Sequence, residues 1–195
     1  KTNKEISDSM RFIIISLLCE YISLINNILF LSGSGLDAES GIQTFRAADG
    51  LWAGHDVYSV CSATAFKNDP DTVYSFYNKR RRELKSVKPN QAHYSLVDLE
   101  KEFEVNIVTQ NISGLHKEAG STKVIELHGS LKKSFCLDNN HSFDWEDDLN
   151  ASDLCPICQS QMRMGIVMFE ENVYHLDEVQ NLANKADLFV STGTS

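Results

Sequence analysis

Four consecutive apolar residues, Ile28-Leu-Phe-Leu31, run almost directly into Gly33-x-Gly35-x-x-Ala38. A short apolar run bounded by glycine reads as a strand buried on both faces. Glycines two apart after it permit a tight turn and let backbone N–H groups approach a phosphate. The strand-then-turn pattern recurs. Val105-Asn-Ile-Val-Thr109 precedes "QNISGLH", Val124 to Leu127 ends at His128-Gly129, and Leu188-Phe-Val-Ser191 runs into Thr192-Gly193-Thr194-Ser195. Helical stretches lie between them. Asn68 to Leu84 opens with Asp69-Pro70, Gln91 to Lys101 places Ala92, Leu96 and Leu99 roughly on one face, and Tyr174 to Ala186 is a third. Strands alternating with helices predict an α/β fold, a doubly wound parallel sheet of Rossmann-like type. Ligands of such sheets bind where strand C-terminal ends open into loops. Gly33, Gln110, His128 and Gly193 fall at or just after such ends, so four loops are expected to converge on one crevice.

The chain has 195 residues, enough for one domain with a small insert. Its formal net charge of −9 argues against nucleic-acid binding and suits a basic partner such as a lysine-rich peptide. The most apolar stretch, Phe12 to Leu31, is interrupted by Glu20, Asn26 and Asn27. A membrane span would bury that carboxylate near its centre at high cost. No small-residue cleavage site supports a signal peptide. A helix from about Asp8 to Leu24, then the strand, is the expected arrangement, with no membrane association.

Five cysteines, unevenly spaced, do not read as a secreted disulfide framework. Cys155-Pro-Ile-Cys158 points to a reducing, cytoplasmic setting and to metal or redox chemistry. Residues 134–164 are polar and acidic, with Cys136 at one end and the Cys155/Cys158 pair near the other. This reads as a small inserted module of zinc type, with 1–133 and 165–195 forming the Rossmann-like domain. A structural zinc takes four ligands, commonly two Cys-x-x-Cys pairs. Cys136, Cys155 and Cys158 supply three; Asn139 stands where the partner of Cys136 is expected. His141 or Asp138 could supply the fourth ligand, or the site is weak or lost.

The glycine turn alone is weak evidence of a dinucleotide site. Its continuation, "SGIQTFRAADGLW", does not lead to the helix, second strand and ribose-binding acid of an ordinary dehydrogenase. Taken in order, "GSGLDAESGIQTFRAADGLW", "TQNISGLHKEAG", "ELHGSL" and the terminal "GTS" resemble the successive signatures of the sirtuins, NAD-dependent protein lysine deacylases. "FYNKRRREL" is similar to the bacterial desuccinylase-like (class III) branch. The resemblance implies NAD and an acyl-lysine protein or peptide bound between a Rossmann-like domain and a zinc module. It assigns Gly33, Ser34, Gly35, Ala38 and Glu39 to the NAD phosphates and adjoining loop. Phe45, Arg46 and Trp52 fall in the stretch by the nicotinamide ribose. Gln110, Asn111, Ile112 and Ser113 go to the ribose and nicotinamide pocket, and Gly193, Thr194 and Ser195 to the phosphate or ribose side. His128 would be the general base; its ordinary pKa near neutrality suits that role. The implied reaction releases nicotinamide and free lysine and forms O-acyl-ADP-ribose. Without its surrounding motif, His128 would read as a strand-end histidine bonded to backbone.

Tyr77 and Arg80 are three apart and share a helical face. A phenol and a guanidinium fork can grip a carboxylate. The resemblance assigns this pair to a succinyl or malonyl group, with Cys61 at a position that branch keeps small. The alternative is that Arg80, Arg81 and Arg82 form a solvated basic face.

The chain also departs from the family's pattern. Ser113 replaces the aspartate of "QNID", which helps hold the nicotinamide carboxamide. Asp37 replaces a serine in the glycine loop and is expected to repel an anionic cofactor. Gln43 replaces a proline, and Glu170 replaces the glycine of "FGE". The family continues beyond the position of Ser195, so the C-terminal part of its fold is expected to be missing. Three readings stay open: an active deacylase, a truncated or degenerate relative that binds NAD or peptide without efficient turnover, and an interaction module.

Overall fold

The computed structural model describes residues 23–44 and 57–194. Of the helix expected from Asp8, only Ser23 and Leu24 fall within these, and they form a turn. Strand β1 (Asn27–Ser32) leads into a four-residue helix, α1 (Ser34–Asp37), and a 3₁₀ turn, Ala38–Ser40. Two short helices, α2 (Tyr58–Cys61) and α3 (Ala63–Asn68), precede the long α4 (Pro70–Leu84). Then come α5 (Gln91–Leu99), β2 (Glu104–Thr109), α6 (Leu115–Ala119) and β3 (Val124–Glu126). Strands β4 (Gly129–Cys136), β5 (Ser142–Asp144) and β6 (Met162–Ile166) follow, before α7 (Leu176–Lys185) and β7 (Leu188–Thr192).

Among the described residues the main sheet is wholly parallel, in the order β3-β2-β1-β7. The apolar run sits in its middle for a simple reason. Alternate side chains of a strand face opposite ways. Ile28 and Phe30 pack with Leu96, Val105 and Ile107 beneath α5. Leu29 packs with Val108 and Leu127 on the other face, against Val179 and Leu182 of α7. Both faces are covered, so the run has no polar alternation.

A second, separate antiparallel sheet has the order β5-β4-β6, and the chain enters it from β3 across Leu127 and His128. Its Met162, Met164 and Ile166 pack against Val73, Tyr74 and Tyr77 of α4. Each fully buried side chain of this kind contributes roughly 2 kcal/mol. Asp69 caps α4, accepting from the Thr72 N–H at 3.1 Å, with Pro70 at the first helical position.

Arg81 fastens the small sheet to α4. It is 2% exposed and donates to the carbonyls of Leu131, Asp147 and Lys133 and to Ser134 Oγ. Burial lowers its pKa to about 10, with Asp148 opposing the shift. The three arginines therefore do not make a common solvated face. Arg81 is structural, Arg82 pairs with Asp148 at 2.5 Å, and Arg80 turns to a cavity.

Candidate active site

The C-terminal ends of β1, β2 and β7 and the start of β4 open into one cavity of about 1100 Å³. That is slightly above the range of ordinary ligand pockets, about 300–1000 Å³. Its floor is two loops packed backbone on backbone. The Gly33 N–H donates to Thr192 O at 3.1 Å, and the Gly35 N–H donates to Gly193 O at 2.8 Å. Gly193 has φ +64°, and a Cβ there would collide with the Leu36 nitrogen. The Gly33 and Gly35 N–H groups are thus engaged by the β7 loop. The glycines are needed first for this close approach, which leaves no side chain at positions 33, 35 and 193.

Gly33, Ser34, Gly35, Gly193 and Thr194 line this end. Gln110, Asn111, Ile112, Ser113 and His128 line the same cavity. Asn111 Nδ2 donates to Gly33 O at 3.0 Å, tying the two groups together. Ala38 and Glu39 are exposed on the 3₁₀ turn and do not line the cavity. Phe45, Arg46, Trp52 and Ser195 lie outside the described residues.

His128 Nδ1 lies 3.0 Å from the carbonyl oxygen of Gln110. A carbonyl only accepts, so Nδ1 carries the proton and Nε2 is the basic nitrogen. Burial pushes the pKa of His128 below its ordinary 6.5, against the opposing pull of the Gln110 bond. The ring is therefore neutral at pH 7.

Cys61, Tyr77 and Arg80 also line the cavity. Tyr77 is 4% exposed, and burial holds its phenol well above the usual range, helped by the neighbouring Cys61. The Arg80 guanidinium stacks 3.2 Å from the centroid of the Phe76 ring, and its Nη1 donates to Phe76 O at 2.8 Å. That geometry orients the fork before anything binds.

Asp37 is 3% exposed and both its oxygens are engaged. Oδ2 accepts from Ser113 Oγ at 2.8 Å, and Oδ1 lies 3.2 Å from His93 Nε2. A carboxylate only accepts, so His93 Nε2–H is the donor to Asp37, while Nδ1 faces the Asn90 N–H at 3.3 Å and Asn90 Oδ1 at 3.1 Å in the capping box of α5. Both carboxylate oxygens are thus engaged by donors within the protein.

Cys136, His141, Cys155 and Cys158 place their ligand atoms within 4.8 Å of one another. Cys158 Sγ is 3.6 Å from Cys136 Sγ, and Cys155 Sγ is 3.5 Å from His141 Nδ1. Tetrahedral zinc with Zn–S bonds of about 2.3 Å requires edges of roughly 3.5–3.8 Å. The residues fit such an ion. His141, one of the two candidates for a fourth ligand, is the fourth member of this cluster, and Asp138 is not in it. Hydrogen bonds led by that of Ser160 lower the Cys158 thiol to about 5, favouring the ligating thiolate.

A profile of the Sir2 family matches residues 33–195. The chain belongs to the Sir2 family. It is 47% identical over 175 residues to an NAD-dependent protein deacylase of Vibrio parahaemolyticus, covering 87% of this chain and 73% of that one. To the NAD-dependent protein deacylase of Helicobacter pylori it is 48% identical over 170 residues, covering 87% and 74%. The solved complex of a Sir2 homologue with NAD superposes with a TM-score of 0.82 at 35% identity, over 92% of this chain and 72% of that one.

Two features of this Sir2 chain escape a reading of its sequence. One is the Asp37–His93–Ser113 cluster, whose members come from three separate segments. The other is a brace on the cavity wall. Arg163, 5% exposed, grips Glu171 through both oxygens, at 2.6 and 2.7 Å. Beside it Glu170, at φ +76°, accepts from the Thr64 N–H and Oγ1. Only the loss of a glycine at position 170 hinted at this.

Proposed function

We propose that this chain is an NAD-dependent protein lysine deacylase that acts on acyl-lysine proteins or peptides. The carrying observation is that His128, with Nδ1 fixed by Gln110, lines one cavity together with the glycine floor and the Tyr77/Arg80 pair. NAD, when bound, supplies an electrophilic ribose carbon and nicotinamide as leaving group. The glycine floor would take the phosphates, and Gln110 and Asn111 the ribose and nicotinamide. His128 Nε2 would accept the proton of a ribose hydroxyl. The names of the relatives and the NAD complex of the structural neighbour support this reading.

The acyl group is proposed to be acidic, succinyl or malonyl. Its carboxylate would meet the Arg80 fork and the Tyr77 hydroxyl. A cytoplasmic setting is proposed from the free state of Cys61, Cys136, Cys155 and Cys158. No helix among the described residues is long and apolar enough to cross a membrane.

The test is to incubate the protein with NAD and either succinyl-lysine or acetyl-lysine peptide and to follow nicotinamide release. Release that requires peptide is expected. Absence of release with both peptides, from a folded protein at high concentration, overturns the proposal and favours a relative that binds without turnover.

A further inference from the structure

Asp37 ends α1 and Ser113 lies in the loop after β2, yet the two side chains meet at 2.8 Å on the wall of one cavity. These are also two of the positions where the chain departs from the sirtuin pattern. The departures are reciprocal: an acid stands for a serine at 37, and a serine for an acid at 113. A hydrogen bond between a hydroxyl and a carboxylate can be made with either partner on either segment. The bond is present here, buried, and His93 holds the carboxylate from behind at 3.2 Å. Neither change taken alone gives this pattern. Serine at both positions would leave the His93 Nε2–H without an anionic partner. Acids at both would set two carboxylates against each other in a buried site, and one would have to take up a proton.

We propose that Asp37 and Ser113 have exchanged roles, so that Asp37, delivered from the glycine loop, anchors the nicotinamide carboxamide while the Ser113 hydroxyl orients it. A carboxylate has about four lone-pair sites. Ser113 and His93 take two, and the remainder can accept from an amide NH₂ in the cavity. This inference rests on the cofactor reading of the cavity. It makes Asp37 a determinant of affinity for the nicotinamide half of NAD, with no part in binding the ADP-ribose half.

The test is a double-mutant cycle on the full chain, read by calorimetric binding of NAD and, separately, of ADP-ribose. Asp37→Ser and Ser113→Asp are each expected to weaken NAD about tenfold or more, the scale of a lost charge-assisted hydrogen bond, with ADP-ribose within about threefold. The double variant D37S/S113D is expected to recover NAD affinity to within about threefold of the wild type. A double variant no better than its worse parent overturns the exchange. So does parallel loss of NAD and ADP-ribose, which marks a merely structural role. If Ser113→Asp does not fold, Asp37→Asn, of the same shape without the charge, must still weaken NAD selectively, and equal affinity to wild type sinks the proposal. Wild type that binds neither ligand instead removes the cofactor reading itself.

Discussion

Position 80 shows how far a residue's neighbours decide its use. Arg80, Arg81 and Arg82 are consecutive, but a helix turns each by about 100°. Arg82 reaches solvent and Asp148, Arg81 enters the core and saturates carbonyls, and Arg80 lies over Phe76 at the cavity. Composition could not separate them; the three-residue spacing from Tyr77 singled out Arg80. Arg80→Met keeps the length of the stem and removes the fork. Its desuccinylation kcat/KM is expected to fall by about a hundredfold or more, and deacetylation by less than about threefold, since only the first substrate presents a carboxylate. Equal loss of both would place Arg80 in general packing. His128 makes a pH prediction. Its pKa is pushed below 6.5 by burial, and only the neutral ring can act as base. The acid limb of a kcat/KM–pH profile is therefore expected to have its midpoint below 6.5. A midpoint above 7 would contradict a buried His128 as the titrating base.

The strands were legible because a parallel strand covered on both faces has a continuous apolar signature, and the helices because they carry capping residues. Asp69-Pro70 before α4 is the clear case. The small sheet was less legible, since β5 is only three residues and is held by pairing with β4 rather than by pattern. His141 was one of two candidates in sequence, with Asp138; only the fold of β4 into β5 brings it to Cys155. Metal analysis of the purified chain is expected to find about one zinc per molecule, and His141→Ala about half or less under mild chelation. Zinc below a tenth of an equivalent in wild type would remove the ion from this account. At the floor of the cavity, Gly193→Ala adds a Cβ where the Leu36 backbone stands, at a φ that alanine resists. A loss of about 2 kcal/mol or more in urea unfolding is expected. An unchanged midpoint would show that the two loops are not packed as described.

At the scale of the whole molecule, the convergence of four loops on one crevice followed from topology alone, because parallel strands deliver their C-terminal ends to one edge. The polar cluster beneath that edge did not follow. Its partners lie 56 and 76 residues apart in the chain. The same buried layer sets an acid sensitivity. His116 is 3% exposed, with Nε2 2.8 Å from Ser32 Oγ. Burial, with His93 alongside, lowers its pKa from 6.5 to about 4. Between those values the unfolded chain binds a proton that the folded chain refuses. Stability is therefore retained above pH 6.5 and lost as the pH falls toward 4, by ~3 kcal/mol from this group. His116→Asn is expected to flatten the fall in urea midpoint over that window, and an identical slope would assign the loss to other groups. The proposed deacylation needs His128 to act on NAD and acyl-lysine within one cavity. Its most direct test compares O-acyl-ADP-ribose formation by wild type and His128→Asn, with NAD affinity measured on both. Wild-type product, a loss of about a hundredfold or more in the variant and unchanged NAD binding are expected. Turnover by His128→Asn within a few-fold of wild type would contradict the central claim.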